Sequence, residues 1–230
     1  MRIKRPKLKF PNGHDSLMML TGAVIVLIIV GIVNFAHAHR TPMPYQPLSS
    51  PWIPSTVKYW QTPINEEAKK YNIDADFVAI IMTMESGGDA SAVSPDNAQG
   101  LMQVTPATAK DIASRYLKKP VKSYNLKDPK TNIEFGVAYL AELRKLYGET
   151  SQGPSWDQTA EIVAAGYNGG FLASAHLEDG KGLHDDQTIV YSRDAYNMWR
   201  ERHASDSPTF DRWKERGGSN LIQAAEQRHQ

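Results

Sequence analysis

A single carboxylate stands out in this chain. The segment Ala75–Ser86, ADFVAIIMTMES, is apolar from Phe77 to Met82 on every face of a helix, the pattern of a buried helix. Glu85 sits at its end, one turn beyond Ile81 and just before Gly87-Gly88. A carboxyl placed there lies between apolar core and open cleft. Partial desolvation disfavours its charged form and raises its pKa, as an acid catalyst working near neutral pH requires. The neighbouring acids look different: Asp89 beside the glycine pair and Asp96 after Pro95 have the setting of turn residues. The chain has no cysteine, so thiol catalysis, disulfides and a cysteine-borne lipid anchor are excluded. Its seven histidines are scattered without paired metal-ligand spacing, so neither a metal nor a cofactor is expected.

The elements that must hold Glu85 in place read as helices. Asp74 can cap a helix over Ala75–Glu85. Thr105-Pro106 supplies a cap and a first-turn proline for a helix toward Tyr116, and Asp128-Pro129 repeats the device for Pro129–Tyr147, ended by Gly148. Within that last segment Ile133, Val137, Leu140 and Ala141 form an apolar stripe at helical spacing. Ser155 with Gln158 makes a capping box for a helix reaching about Tyr167, and a final helix is expected over Thr188–His203. No strand alternation or internal repeat is visible. The expectation is an all-α domain over residues 57–203, followed by a loose polar tail, 204–230, with room for one short helix.

The N-terminus carries a membrane signal. Arg2, Lys4, Arg5, Lys7 and Lys9 precede the uncharged, 18-residue run Ser16–Val33. At about 1.5 Å per helical residue such a run nearly crosses a hydrocarbon core. The basic segment, 1–15, should stay cytoplasmic, with residues 16–36 as a single-pass inner-membrane anchor and everything beyond on the periplasmic side. Ala36-His37-Ala38 leaves a cleaved signal peptide as the alternative, but the apolar run is longer than such peptides usually have. Residues 37–56 are proline-rich and read as an extended spacer. The net charge of +1 gives no bias toward nucleic acid.

The residues after Glu85 carry a resemblance. Glu85-Ser86-Gly87-Gly88 is followed by Ala92-Val93-Ser94-Pro95, Ala98-Gln99-Gly100-Leu101-Met102-Gln103 and Thr105-Pro106-Ala107-Thr108-Ala109. Further on come Asn125-Leu126, Asp128-Pro129, Asn132-Ile133, Gly136, Tyr139-Leu140, Leu143, Ala165-Gly166-Tyr167-Asn168-Gly169-Gly170 and, more weakly, Gln187-Thr188 with Tyr191. Over about residues 60–200 this resembles the soluble-lytic-transglycosylase-like (SLT) domain, family 1 of the lytic transglycosylases. Two positions depart from the family pattern: Gly166 replaces a common alanine, and Gln187 replaces a common glutamate.

The resemblance implies a lysozyme-like fold and an enzyme that cleaves the β-1,4 bond between N-acetylmuramic acid and N-acetylglucosamine in peptidoglycan glycan strands. It assigns Glu85 as catalytic acid/base and Ser86, Met102, Gln103, Tyr167, Asn168 and Tyr191 as substrate-binding helpers. Ser86 is expected to orient the carboxyl or the sugar N-acetyl group, Met102 and Gln103 to line the cleft, and the Tyr191 hydroxyl to lie near the carboxyl. Most glycosidases use two carboxylates; here only Glu85 has the setting of a cleft residue. The chemistry that the resemblance implies is non-hydrolytic, closing a 1,6-anhydro ring on the muramic sugar. The alternatives are a lysozyme-like hydrolase placing a water with Asp89 or Asp96, and a non-catalytic wall-binding component, which would have no need of Glu85. By analogy, a small tethered enzyme of this kind suits a secretion or conjugation apparatus that must open the wall locally.

Overall fold

The computed structural model describes residues 45–120, 124–148 and 156–229. The apolar run 16–33, the Ala36-His37-Ala38 site and Ser155 lie outside them. Among the described residues no helix is long and apolar enough to cross a membrane.

The core is organised around α3 (Ala75–Ser86), which buries every residue except Glu85. Phe77, Ile80, Ile81 and Met82 are almost wholly enclosed. Asp74 caps this helix by accepting from the Asp76 amide, as its sequence position predicts. The two acids do more than cap. Asp74 also accepts from the Trp199 indole at 3.0 Å and pairs with Arg202 at 3.2 Å. Asp76 accepts from the Ser49 and Ser50 amides at 2.9 and 2.8 Å. Buried carboxylates need such partners, and these tie the start of α3 to two distant parts of the chain.

Residues 45–54 are therefore not a free spacer. Leu48 and Ile53 are buried, and the Trp52 indole donates to the Glu201 carbonyl at 3.1 Å. Two short helices follow, α1 (Ser55–Lys58) and α2 (Gln61–Lys70). After α3 a loop, 87–105, doubles back on itself through antiparallel backbone pairs Val93–Gln99 and Gln99–Val104. Then come α4 (Pro106–Ile112) and α5 (Pro129–Leu143), each started by the expected Thr105 or Asp128 cap. Both run on into a wider, π-type turn, Ala113–Leu117 and Arg144–Gly148.

α6 (Trp156–Gly169) and α8 (Asp186–Glu201) pack together, with α7 (Phe171–Glu178) against α6. No sequence signal marks α7, because it is short, follows Gly169-Gly170 and has no capping side chain. Gly166 explains why α7 fits: a Cβ there would lie 2.0 Å from Ser174 Oγ and 2.7 Å from Leu143 Cδ2. The departure from alanine makes room for a neighbouring helix, not for a ligand.

The expected loose tail is instead folded. α9 (Pro208–Trp213), a π-type turn (Lys214–Gly218) and α10 (Ser219–Arg228) pack on the domain. Phe210 and Ala225 are buried. Glu201 accepts from Ser207 Oγ at 2.5 Å and from Thr209 Oγ1 at 2.8 Å, which docks α9 onto the end of α8. A polar sequence conceals this, because its few apolar side chains face inward while its charges stay in solvent.

Candidate active site

Glu85 is the penultimate residue of α3, and the helix ends there for a steric reason. Gly87 takes the left-handed conformation, φ 62°, and its amide donates back to the Thr83 carbonyl at 3.0 Å. The Gly87-Gly88 turn is held from two sides. Thr56 Oγ1 donates to the Gly87 carbonyl at 2.6 Å and Trp60 Nε1 to that of Gly88 at 3.0 Å. On the other side the backbone of Leu221 and Ile222 in α10 would be under 3 Å from a Cβ on Gly87. Segments before and after the resembling region thus fix the direction in which Glu85 points.

Glu85 as a residue is half-buried, and protein packs closely around its carboxyl. Desolvation is the larger influence and raises its pKa from 4.5 to about 7; a hydrogen bond from Tyr191 acts the opposite way. That bond runs from the α8 phenol to Glu85 Oε1 at 2.6 Å. Tyr167 on α6 feels the same charge. Burial first and the Glu85 carboxylate second push both phenols well above their ordinary pKa, so both remain protonated donors at neutral pH. No cation pairs with Glu85 among the described residues, so its protonation is left to burial and one phenol.

The remaining residues named from sequence form the frame. Ser86 is buried; its hydroxyl donates to the Leu101 carbonyl at 2.7 Å and accepts from the Gly88 amide at 3.2 Å. These bonds brace the turn that follows Glu85. Met102 does not line an open cleft but turns inward: it is fully buried and lies over Gly136, where a Cβ would come within 2.6 Å of Met102 Cβ. Its carbonyl accepts from the Tyr167 hydroxyl at 2.7 Å. Gln103 adopts φ 45°, uncommon for a residue with a Cβ. Its amide donates to the Ala92 and Gly100 carbonyls at 3.1 and 2.9 Å, which holds that conformation. Asn168 is joined to α8, with Thr188 Oγ1 donating to its Oδ1 at 3.0 Å.

The other two acids are turn residues, as their sequence setting indicates. Asp89 accepts from the Ser91 amide and hydroxyl at 2.8 and 2.7 Å and pairs with Arg228 at 3.2 Å. Asp96 is exposed in the loop.

One central residue received no role from sequence. Asn132, fully buried on α5, accepts from the Met102 amide at 2.8 Å and donates to the Gln99 and Leu126 carbonyls at 2.6 and 2.9 Å. It fixes the loop that carries Gln103 and the Tyr167 acceptor. A signal was available: an amide at position 132 shares a helix face with Gly136 and Leu140, and a polar group on a buried face must be hydrogen-bonded.

The chain is 33% identical over 138 residues to the membrane-bound lytic murein transglycosylase E of Buchnera aphidicola, covering 59% of this chain and 62% of the relative. It is 41% identical over 110 residues to the membrane-bound lytic murein transglycosylase C of Serratia proteamaculans, covering 46% of this chain and 30% of that protein. The chain thus spans less than two thirds of the curated relatives it matches. Among solved structures, the 70-kDa soluble lytic transglycosylase of Escherichia coli is similar with a TM-score of 0.43 and 23% identity, over 66% of this chain and 27% of that one. The sequence model of the transglycosylase SLT domain matches residues 62–189, which include Glu85, Asn132 and Tyr167. With more than half of its length matched by that model, this protein belongs to the transglycosylase SLT domain family.

Proposed function

We propose that the protein is a peptidoglycan lytic transglycosylase that cleaves the N-acetylmuramic acid–N-acetylglucosamine β-1,4 bond without water. The observation that carries this reading is the Glu85 carboxyl, with a pKa of about 7 and a phenol as its hydrogen-bond partner. A group with that pKa holds a proton often enough to give it to a leaving oxygen and is a strong enough base to take one back. Glu85 protonates the glycosidic oxygen as the bond to the muramic C1 breaks. The substrate's own N-acetyl oxygen supports the developing positive charge. The ionised Glu85 then takes the proton of the C6 hydroxyl, whose oxygen bonds to C1 and closes a 1,6-anhydro ring. Tyr191 stabilises the carboxylate between the two transfers, since a hydrogen bond to the charged form favours it. Gln103, with its two donors engaged in the loop, retains its amide oxygen for a sugar hydroxyl.

Hydrolysis would ask for a second group to place a water on the opposite face of the sugar. Asp89 is committed to Ser91 and Arg228, which speaks against that alternative. The relatives' printed names, membrane-bound lytic murein transglycosylases, support the same substrate and a membrane-associated enzyme. The basic residues before Ser16–Val33 support a single-pass inner-membrane anchor as the means.

Digestion of purified sacculi tests the proposal. The expected products end in anhydromuramic acid, lighter by one water than a reducing end and inert to borohydride, and Glu85→Gln abolishes them. Borohydride-reducible muramic ends as the main product would establish hydrolysis instead.

A further inference from the structure

The family match ends at residue 189, yet part of the surface beside the catalytic carboxyl is built beyond it. A cavity of about 260 Å³ lies between α8 and the C-terminal segment. Tyr191, whose hydroxyl holds Glu85, opens onto it together with Met84, Val190, Asp194, Trp213 and Arg216. Met84, Val190 and Trp213 make much of the lining apolar, and Val190 is 46% exposed. The charged pair is asymmetric. Asp194 is buried, with 10% of its side chain accessible, whereas 49% of the Arg216 side chain is open. Asp194 accepts from Arg216 Nη2. A guanidinium carries five N–H donors in a planar fork, and no other protein acceptor for this one occurs among the described residues. An arginine anchored by a buried acid, with donors left over and an apolar wall beside it, suits a planar anion.

We infer that this cavity is a subsite for a carboxylate-bearing substituent of the glycan, with Arg216 as its receptor. The inference rests on the peptidoglycan reading above. In that polymer the muramic sugar carries a lactyl group, which ends in its own carboxylate when bare and in a peptide with further carboxylates when substituted. An oligomer of N-acetylglucosamine alone has neither. Asp194 holds Arg216 toward the cavity and leaves most of its fork unoccupied.

The simpler role for the pair is a strut tying the C-terminal segment to α8, and two substitutions tell the roles apart. Arg216→Gln removes the cation. Asp194→Asn removes the same ion pair but keeps the cation, and the asparagine oxygen still accepts from Arg216. The ligands are an N-acetylglucosamine tetramer, a peptide-free glycan oligomer of alternating muramic acid and glucosamine, and its peptide-bearing form. Each is titrated calorimetrically into the full chain carrying Glu85→Gln, so that nothing is cleaved. Arg216→Gln should weaken a carboxylate-bearing ligand about 10-fold, the loss of one charge-assisted contact, and leave the tetramer unchanged. Asp194→Asn should keep or increase the preference for the acidic ligand. Loss confined to the peptide-free oligomer identifies the lactyl carboxylate, and loss confined to the peptide-bearing form identifies the stem. Equal losses for neutral and acidic ligands, parallel losses in the two variants, or no loss at all would overturn the subsite. If the parent binds none of the three ligands, the peptidoglycan reading itself fails, whatever Arg216 does.

Discussion

Replacing Glu85 by glutamine should make the protein inactive and, at neutral pH, more stable. In the unfolded chain the carboxyl titrates near 4.5, and in the folded protein at about 7. Between those values the unfolded chain has released the proton and the folded protein still binds it. Stability therefore falls as pH rises through this window, is unaffected below it, and carries the full cost above it. At about 1.4 kcal/mol per pH unit, the separation amounts to about 3 kcal/mol, an upper figure because part of the residue faces solvent. A glutamine side chain has nearly the same shape and never ionises, so the variant escapes this cost. All other titrating groups are common to both proteins and cancel in the difference. Urea unfolding of the two proteins, followed by tryptophan fluorescence from about pH 4 to about pH 8, reads that difference. It should be near zero at the acid end and approach about 3 kcal/mol at the alkaline end, or about 6–12 °C in thermal midpoint for a domain of this size. A difference that stays flat across the window, or falls with pH, would show that Glu85 is not desolvated as the structure has it.

Tyr191→Phe removes the donor that favours the charged carboxylate, so the Glu85 pKa should rise further, by about one unit, and the alkaline limb of the kcat/KM profile should move up with it; an unmoved limb would mean the bond is absent in the free enzyme. Asn132→Ala leaves the Met102 amide and the Gln99 and Leu126 carbonyls without their partner, and should destabilise the protein by about 3 kcal/mol in denaturant unfolding. A loss below about 1 kcal/mol would show that water or other groups replace it. Ending the chain after His203 removes α9 and α10, bares the Gly87 turn and unpairs Glu201 and Asp89, and should lower the thermal midpoint by at least about 5 °C. An unchanged midpoint would return residues 204–229 to the status of a tail.

Most of the helices were legible in the residues themselves, because the forces that make them are local, whereas the candidate site rested on a family resemblance. Asp74, Thr105 and Asp128 cap the helices that follow them, and the prolines at 106 and 129 begin those helices, because a cap satisfies amides within three residues of itself. An acid at the end of an all-apolar helix makes desolvation possible, and the resemblance of the residues that follow Glu85 singles it out as the candidate. What the sequence could not decide were relations between distant parts of the chain. Ser86 and Met102 had the types of cleft residues, and only packing against Leu101 and Gly136 turned them inward. Residues 45–54 and 204–229 are proline-rich or polar, and their place in the domain rests on a few buried side chains and on long-range bonds such as Ser49 and Ser50 to Asp76, Trp52 to Glu201 and Arg228 to Asp89. A hydrogen bond across a hundred residues leaves no periodicity in the sequence, because its two partners share no local geometry. The sequence by itself therefore determined which carboxyl is the candidate and which helices carry it, and the tertiary structure alone decided how that carboxyl is held.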